Sequence, residues 1–479
     1  MVLSGVVLLL IVLPFAFIRF LYTPWLEARS RLQAPRRLPD DTRDHVIISR
    51  YDDIASALIQ RLVPANVPYC VVESDPAAAA QLIADGVDVI VGELDERATY
   101  EHLQIQQARF LFANSGDTKN SNIALTAREA SDTVPIVGVV EHEDSIDVLE
   151  LSGCTKVLAL KAQLGEYLAS RVSTGQGAVD VVGEFHGLQV AEFDARNTPL
   201  AGQPVRDTHL RAQTGLNIVG TWNRGRLSPA FPETVIAPDS LVVVVGTKDQ
   251  LNALDGAVGI TPSSGDALVL VIGAGKVGQA ASAALKRKNF SVHVLDRDPD
   301  GLERLTGVVD RTIEGDAADR TALFEGGLEQ AQTVLLTTHD DAMNIYLSVY
   351  CRRLKPSLRI VSRVSHDRNL EAIHRAGADF AISYAALGAE ALVSIIEGHE
   401  LVILGENIDL FSAQVPSRLE GRTLAESQIG SRVGISVVAI KQSGQMVTQL
   451  HSTTRLEAGM ELFMLGAVTQ RRKFAETFN

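Results

Sequence analysis

Cysteine, aromatic residues and positive charge are all in short supply in this sequence. The three cysteines, Cys70, Cys154 and Cys351, lie far apart. No CxxC pair, HExxH or Cys/His spacing points to zinc, and no disulfide framework is visible, so the bulk of the chain reads as reduced and cytosolic. Its 44 basic against 58 acidic side chains leave a formal net charge of −14. Nucleic-acid binders neutralise phosphates with surplus Lys and Arg, so nucleic acid is excluded as a partner class. Aromatics make up only 5%. What is plentiful is Ala, Val, Leu, Ile and Gly, the palette of alternating strands and helices, and 479 residues leave room for several such domains.

The chain is one unit written twice. "HVIISRYDDIASALIQRL" from His45 aligns with "LVLVIGAGKVGQAASAALKR" from Leu268. "VIVGELDERATYEHL" aligns with "RTIEGDAADRTALFE", "ARFLFANSGDTKNSNIAL" with "AQTVLLTTHDDAMNIYL", and "PIVGVVEHED" with "RIVSRVSHDR". Each reads strand, helix, strand at intervals that suit a doubly wound parallel sheet. Each is followed by short apolar runs broken by Gly, Pro and Asp, the texture of a small α+β lobe. There "LAGQPVRDTHLRAQTGLNIVGTW" parallels "LEGRTLAESQIGSRVGISVVAIK".

The second copy carries a glycine turn, "VIGAGKVG", directly after an apolar strand and before a helix. In such a turn Gly273 allows the bend, Gly275 lets a pyrophosphate approach the backbone, and Gly278 lets helix and strand pack closely. Ala274, Lys276 and Val277 complete the loop, and the helix start offers free N–H groups to phosphates. Asp296, with Arg297 beside it, ends the next strand, where an acid can hold ribose hydroxyls. Asp316 and Ala317 follow the third strand, near an adenine position, and Thr337, Thr338 and His339 follow the fourth, near phosphates or the second ribose. Each of these also reads singly as an ordinary polar loop residue. Arg363, ending the fifth strand, could meet a phosphate or form a structural ion pair.

The first copy has lost this chemistry. Ser49-Arg50-Tyr51-Asp52-Asp53-Ile54 replaces the glycine turn, so side chains fill the space a pyrophosphate needs, although Glu73 keeps the position of Asp296. Glu141, His142, Glu143 and Asp144, with Asp52 and Asp53 near the same rim, offer carboxylates to a divalent cation such as calcium. The plainer reading, a solvated acidic loop, is the one adopted.

"GAGKVG", "LDRD", "EGDAAD", "LLTTHDDAMNI", "IVSRVSH" and "AGADFAIS" together resemble the N-lobe of RCK domains, also called TrkA-N, and the lobes that follow resemble TrkA-C. The resemblance spans residues 44 to 479. It implies Rossmann-like lobes that bind NAD(H), ATP, ADP or divalent cations, assemble as a homo-oligomeric ring on the cytoplasmic side, and bias a connected potassium pore. The eroded first copy departs from the family pattern.

The apolar run Val2–Ile18 is short for a membrane span but is extended by Phe20, Leu21, Tyr22 and Trp25. Arg19, Arg29, Arg31, Arg36 and Arg37 follow, which sets the C-terminal side in the cytoplasm. Ser4, Gly5 and Pro14 suit the end of a pore-lining inner helix, and equally a plain membrane helix. No TVGYG-like filter occurs in the sequence, so a selective pore has to come from an upstream segment or a partner chain.

The expected division is a transmembrane helix at 1–25, linker 26–43, N-lobe 44–175, C-lobe 176–256, linker 257–266, N-lobe 267–398 and C-lobe 399–479. The expected protein sits in the plasma (inner) membrane by one pass, with both repeats cytoplasmic, and regulates potassium transport rather than catalysing a reaction. The rival classes are an NAD-dependent oxidoreductase, for which His339 is the sole proton-transfer candidate, and a nucleotide-independent scaffold.

Overall fold

The computed structural model describes Phe15, Phe17, Ile18 and Arg19, and residues 34–172, 179–195, 198–223, 226–238, 240–258, 267–397 and 408–478. The expected membrane helix at 1–25, much of the linker after it and nearly all of linker 257–266 lie outside the described residues. Among the described residues no helix is long and apolar enough to cross a membrane. The chain divides into two compact units, residues 1–160 and 161–479.

The first unit is built on a six-stranded parallel sheet of β1 (Val46–Ile48), β2 (Tyr69–Glu73), β3 (Val89–Val91), β4 (Phe110–Ala113), β5 (Ile136–Val139) and β6 (Lys156–Leu158). Their order across the sheet is β3-β2-β1-β4-β5-β6. The chain reverses direction of travel between β1 and β4, the switch point at which doubly wound folds open a crevice. The strands are short, continuous apolar runs because helices cover both faces. Helix α1 (Asp53–Leu62) and helix α2 (Asp117–Ala130) are two of them.

In the second unit the sheets alternate in kind. A five-stranded antiparallel sheet holds β7 (Asp180–Phe185), β8 (Leu188–Asp194), β9 (Asn217–Asn223), β10 (Arg226–Pro229) and β11 (Leu241–Gly246). A second parallel sheet follows: β12 (Leu268–Ile272), β13 (Ser291–Asp296), β14 (Arg311–Glu314), β15 (Thr333–Leu336), β16 (Arg359–Val364) and β17 (Phe380–Ser383). Its order, β14-β13-β12-β15-β16-β17, repeats that of the first sheet strand for strand. An antiparallel sheet of β18 (Ile408–Gln414), β19 (Ser436–Gln442), β20 (Gln445–Val447) and β21 (Glu461–Ala467) closes the chain.

Strand alternation divides the core of the second parallel sheet. Val269 and Val271 of β12 face one cluster, Leu270 and Ile272 the other. The two antiparallel sheets share a third cluster, with Val190, Val219, Trp222 and Val243 packed among Leu410, Val438, Phe463 and Leu465. Asn217 Nδ2 ties them by donating to the carbonyls of Val438 (3.0 Å) and Thr448 (3.1 Å).

One helix departs from the expected division. Helix α3 (Leu160–Ser170), assigned from sequence to the first N-lobe, contributes Leu164, Leu168 and Ala169 to the core of the second parallel sheet. It crosses helix α4 (Lys276–Arg287) so closely that a Cβ on Gly165 would overlap the Val277 carbonyl oxygen and lie 2.7 Å from Ala280 Cβ. Helix α4 buries Val277, Ala281, Ala284 and Leu285, one stripe at helical spacing.

The duplication extends to polar networks. Asp341, at the start of helix α5 (Asp341–Leu354), accepts from the N–H groups of Ser365 (2.6 Å) and His366 (3.2 Å). Asp117 does the same for Glu141 (2.7 Å) and His142 (3.2 Å). Arg352 donates to the carbonyls of Leu358 and Gly377, and Arg128 to those of Val134 and Gly153.

Candidate functional site

The glycine turn sits where β12 meets helix α4. Gly273 has φ +114°, a conformation L side chains rarely adopt, and a Cβ there would lie 2.7 Å from Thr337 Oγ1. A Cβ on Gly278 would overlap the Gly273 carbonyl oxygen, so this glycine is required for helix and strand to meet. Gly275 differs from both. It is the N-cap of α4 with ordinary φ, makes no side-chain cap, and faces open space. The helix start is thereby presented bare, with its N–H groups and positive dipole end available to a phosphate. Ala274 and Val277 are buried and anchor the loop, while Lys276 is half-buried.

Asp296 closes the turn from the neighbouring strand. Its Oδ2 accepts from the Ala274 N–H at 2.5 Å and its Oδ1 from the Asp298 N–H at 2.9 Å. Each oxygen keeps lone-pair capacity for a ribose hydroxyl, and the carboxylate is held rather than free to rotate. Arg297 lies 3.8 Å from Asp316, an exposed pair at the outer rim, and Ala317 is buried beneath it. The residues around the turn therefore fit a dinucleotide: a glycine facing open space at the N-cap, a free helix start, and an oriented acid.

The loop after β15 divides its work differently from the sequence reading. Thr337 is buried, and its hydroxyl donates to the carbonyls of Ile272 and Gly273, so it locks the glycine turn. Thr338 Oγ1 donates to Asn344 Oδ1 at 2.7 Å, and His339 is exposed with its backbone carbonyl accepting from Ser365 Oγ. Arg363 is buried, donates to Ser365 Oγ at 2.9 Å and lies over the Tyr384 ring, 5.7 Å from its centroid. Burial lowers its pKa, opposed by the nearby Asp341 carboxylate.

Two features went unmarked in the sequence. Asp341 organises the loop after β16 through Ser365, His366 and Asn369, the last at 2.6 Å. Its signal was present, since Asp117 occupies the same place in the first copy. The covering of α4 by α3 had no local signal.

In the first copy the turn is closed by side chains. Ser49 Oγ donates to Asn114 Oδ1 at 3.0 Å, and Asn114 Nδ2 donates to the Arg50 carbonyl. Asp52 caps helix α1 by accepting from the Ala55 N–H at 2.8 Å, so the helix start already holds its own carboxylate. Burial pushes the Asp52 carboxyl above its usual range. Glu73 accepts only a local bond, from the Asp75 N–H. Among the described residues no group of His, Cys, Asp and Glu is placed to hold a metal ion.

Comparison with known proteins agrees with this architecture. The TrkA-N domain model matches residues 46–160 and 269–384, and the TrkA-C domain model residues 190–258 and 410–479. The chain is 34% identical to the crystal structure of the GsuK RCK domain, over 95% of this chain and 99% of that one, with a TM-score of 0.68. A structure of the GsuK channel bound to NAD is likewise 34% identical, over 99% of this chain and 86% of that one, with a TM-score of 0.69. "Probable potassium channel protein 2" of Methanocaldococcus jannaschii is 22% identical over 48% of this chain and 72% of its own length. A "Trk system potassium uptake protein TrkA homolog" of Archaeoglobus fulgidus is 21% identical over 71% of this chain and 78% of its own length. With four domain matches, in the order N, C, N, C, laid over the observed lobes, the chain belongs to the TrkA-N/TrkA-C (RCK) family.

Proposed function

We propose that this protein regulates potassium movement across the membrane by binding an adenine nucleotide, NAD(H), ATP or ADP, in its second Rossmann lobe. The bare N-cap at Gly275, with Asp296 fixed beside it, is the observation that carries the reading. The NAD-bound GsuK structure and the potassium-transport names of the relatives support it. Gly273, Ala274, Gly275, Lys276, Val277 and Gly278 would hold the phosphates, and Asp296 the ribose. Arg297, Asp316 and Ala317 would border the adenine, and Thr338 and His339 the far end of the ligand. Thr337 and Arg363 would act through the turn and the loop they brace. The first lobe binds no dinucleotide in this manner, because Asp52 takes up its helix start.

In this reading residues 1–25 attach the chain to the membrane, the repeats lie in the cytoplasm as part of a homo-oligomeric ring, and the pore belongs to an upstream segment or a partner chain. Nucleic acid is no partner. The site regulates and does not catalyse, so ligand acts only through its different affinity for two arrangements of the lobes. Calorimetric titration of the chain with NAD, ADP and ATP tests the binding. Potassium flux into cells lacking their own uptake systems, with and without the chain, tests the transport role. Saturable binding at one site per chain and a changed flux are expected. Failure to bind any of the three overturns the site, and unchanged flux overturns the role.

A further inference from the structure

Two helices start at the switch point of each parallel sheet, one after its first strand and one after its fourth. In the second copy these are α4, after β12, and α5, after β15. Those two strands are neighbours, with Ile272 paired to Leu336, so both helices start at the same edge of the crevice. The loop between β15 and α5 also abuts the glycine turn, since a Cβ on Gly273 would lie 3.1 Å from the Thr338 backbone nitrogen.

The two copies treat these helix starts in opposite ways. In the first, Asp52 caps α1, after β1, while the N-cap of α2, after β4, is Gly116, which offers no side chain and faces open space. In the second, Gly275 leaves α4 bare and Asp340 caps α5. Asp340 Oδ1 accepts from the N–H groups of Ala342 at 2.9 Å and Met343 at 3.2 Å. Helices α2 and α5 are both 14 residues long, so the fold makes this helix without a carboxylate at its N-cap.

The acid at the end of β13 sets the direction of a bound nucleotide. With the ribose on Asp296 and the phosphates at the start of α4, whatever follows the second phosphate runs over the loop after β15, where Asp340 is exposed. In a dinucleotide that part is a sugar and its base. In a nucleoside triphosphate it is a third phosphate. Lys276 is the sole cation of the turn Gly273–Gly278, so the turn has no second ammonium or guanidinium for the added charge. The N–H groups that would receive a phosphate at α5 are already taken by a carboxylate, and like charges set against each other are costly.

We infer that Asp340 is a specificity residue, admitting nucleotides that end at the second phosphate or continue as a sugar, and turning away nucleoside triphosphates. This rests on the nucleotide reading proposed above and narrows it to adenine diphosphates and dinucleotides. Asp340 acts by repulsion, the means by which a site rejects a ligand that shares most of its contacts with the accepted one.

The full chain, as wild type and as D340N, is titrated calorimetrically with NAD, ADP and ATP in EDTA, which keeps divalent cations off the terminal phosphate. Asparagine caps a helix about as well as aspartate, so the variant keeps the cap and loses the charge. Wild type is expected to bind ADP at least about tenfold more tightly than ATP, and this ratio should shrink at least about threefold in D340N. The ratio should also shrink as NaCl rises from about 0.1 to about 1 M, because salt screens exposed charges, whereas a merely structural cap would leave it unmoved. Equal affinities for ADP and ATP in wild type, or the same ratio in D340N, overturn the inference. NAD has no terminal phosphate and reports on the glycine turn alone. Its binding beside equal ADP and ATP affinities removes only the role of Asp340, whereas failure of all three nucleotides to bind removes the site and the inference with it.

Discussion

Arg171 and Glu192 form an ion pair sealed from solvent, their side chains 1% and 3% exposed. The pair joins helix α3 to β8, and its neighbours complete a small aromatic box. Arg171 lies over the rings of Tyr167 and Phe380, at 4.9 and 4.7 Å from their centroids, and Trp222 Nε1 donates to Glu192 Oε1 at 3.2 Å. One cluster thus fastens α3, the antiparallel sheet and the edge of the second parallel sheet. Breaking a buried pair leaves a charge without compensation. Glu192→Gln, which keeps an acceptor for Trp222, should lower unfolding free energy by about 3–5 kcal/mol. R171M/E192Q should regain most of that loss. Urea midpoints of the three proteins decide the matter, and an equal loss in single and double variants would sink it.

Two glycines of one motif should fail in different ways. Gly275→Val puts a side chain into open space at the helix start, so NAD affinity should fall at least about tenfold with the melting temperature unchanged. Gly278→Ala meets the Gly273 carbonyl and should lower stability by about 1–3 kcal/mol whether or not nucleotide is present. Melting curves with and without NAD separate the two.

Asp296 should also set nucleotide preference. A carboxylate at the ribose accepts a 2′-hydroxyl but repels a 2′-phosphate, so NADP should bind at least about tenfold more weakly than NAD. Asp296→Asn should narrow the gap, as competition titration would reveal. Equal affinities for the wild-type protein would remove Asp296 from the ribose.

Asp341 should make stability fall in acid. Burial pushes its carboxyl up, but the bonds from Asn369, Ser365 and His366 outweigh it and hold the carboxyl below the usual range. A depressed native pKa adds stability that is complete above the unfolded value, about 3.9, and is lost as pH falls through the native one. Asp341→Asn should therefore be less stable than wild type at pH 7, and the difference should shrink below about pH 4. A constant difference across pH would show that the charge contributes nothing.

The duplicated sheets, the glycine turn and Asp296 were legible because each rests on local spacing: an apolar run, a bend only glycine tolerates, an acid at the next strand end. Side-chain direction just past a strand was not. Thr337 follows Leu336, the last residue of β15, and its hydroxyl turns inward to the Ile272 and Gly273 carbonyls instead of facing a ligand. Arg363 read equally as a phosphate contact or an ion pair, and the structure sets it over Tyr384, a residue twenty-one positions away that no spacing rule connects to it. Helix α3 was the largest surprise. Its stripe of Leu164 and Leu168 announces a buried face but carries no address for the surface that buries it.

That address has a consequence for how the protein is made. Leu164, Leu168 and Val172 share a core with Phe380 and Ile382, which leave the ribosome roughly two hundred residues later. At ordinary translation speeds of 5–20 residues per second, the helix waits roughly 10–40 s for its partners. During that interval its apolar stripe is a ready target for chaperones and for neighbouring nascent chains. The helix that crosses α4 is thus synthesised before α4 exists, and the later lobe completes its core around a segment made ahead of it.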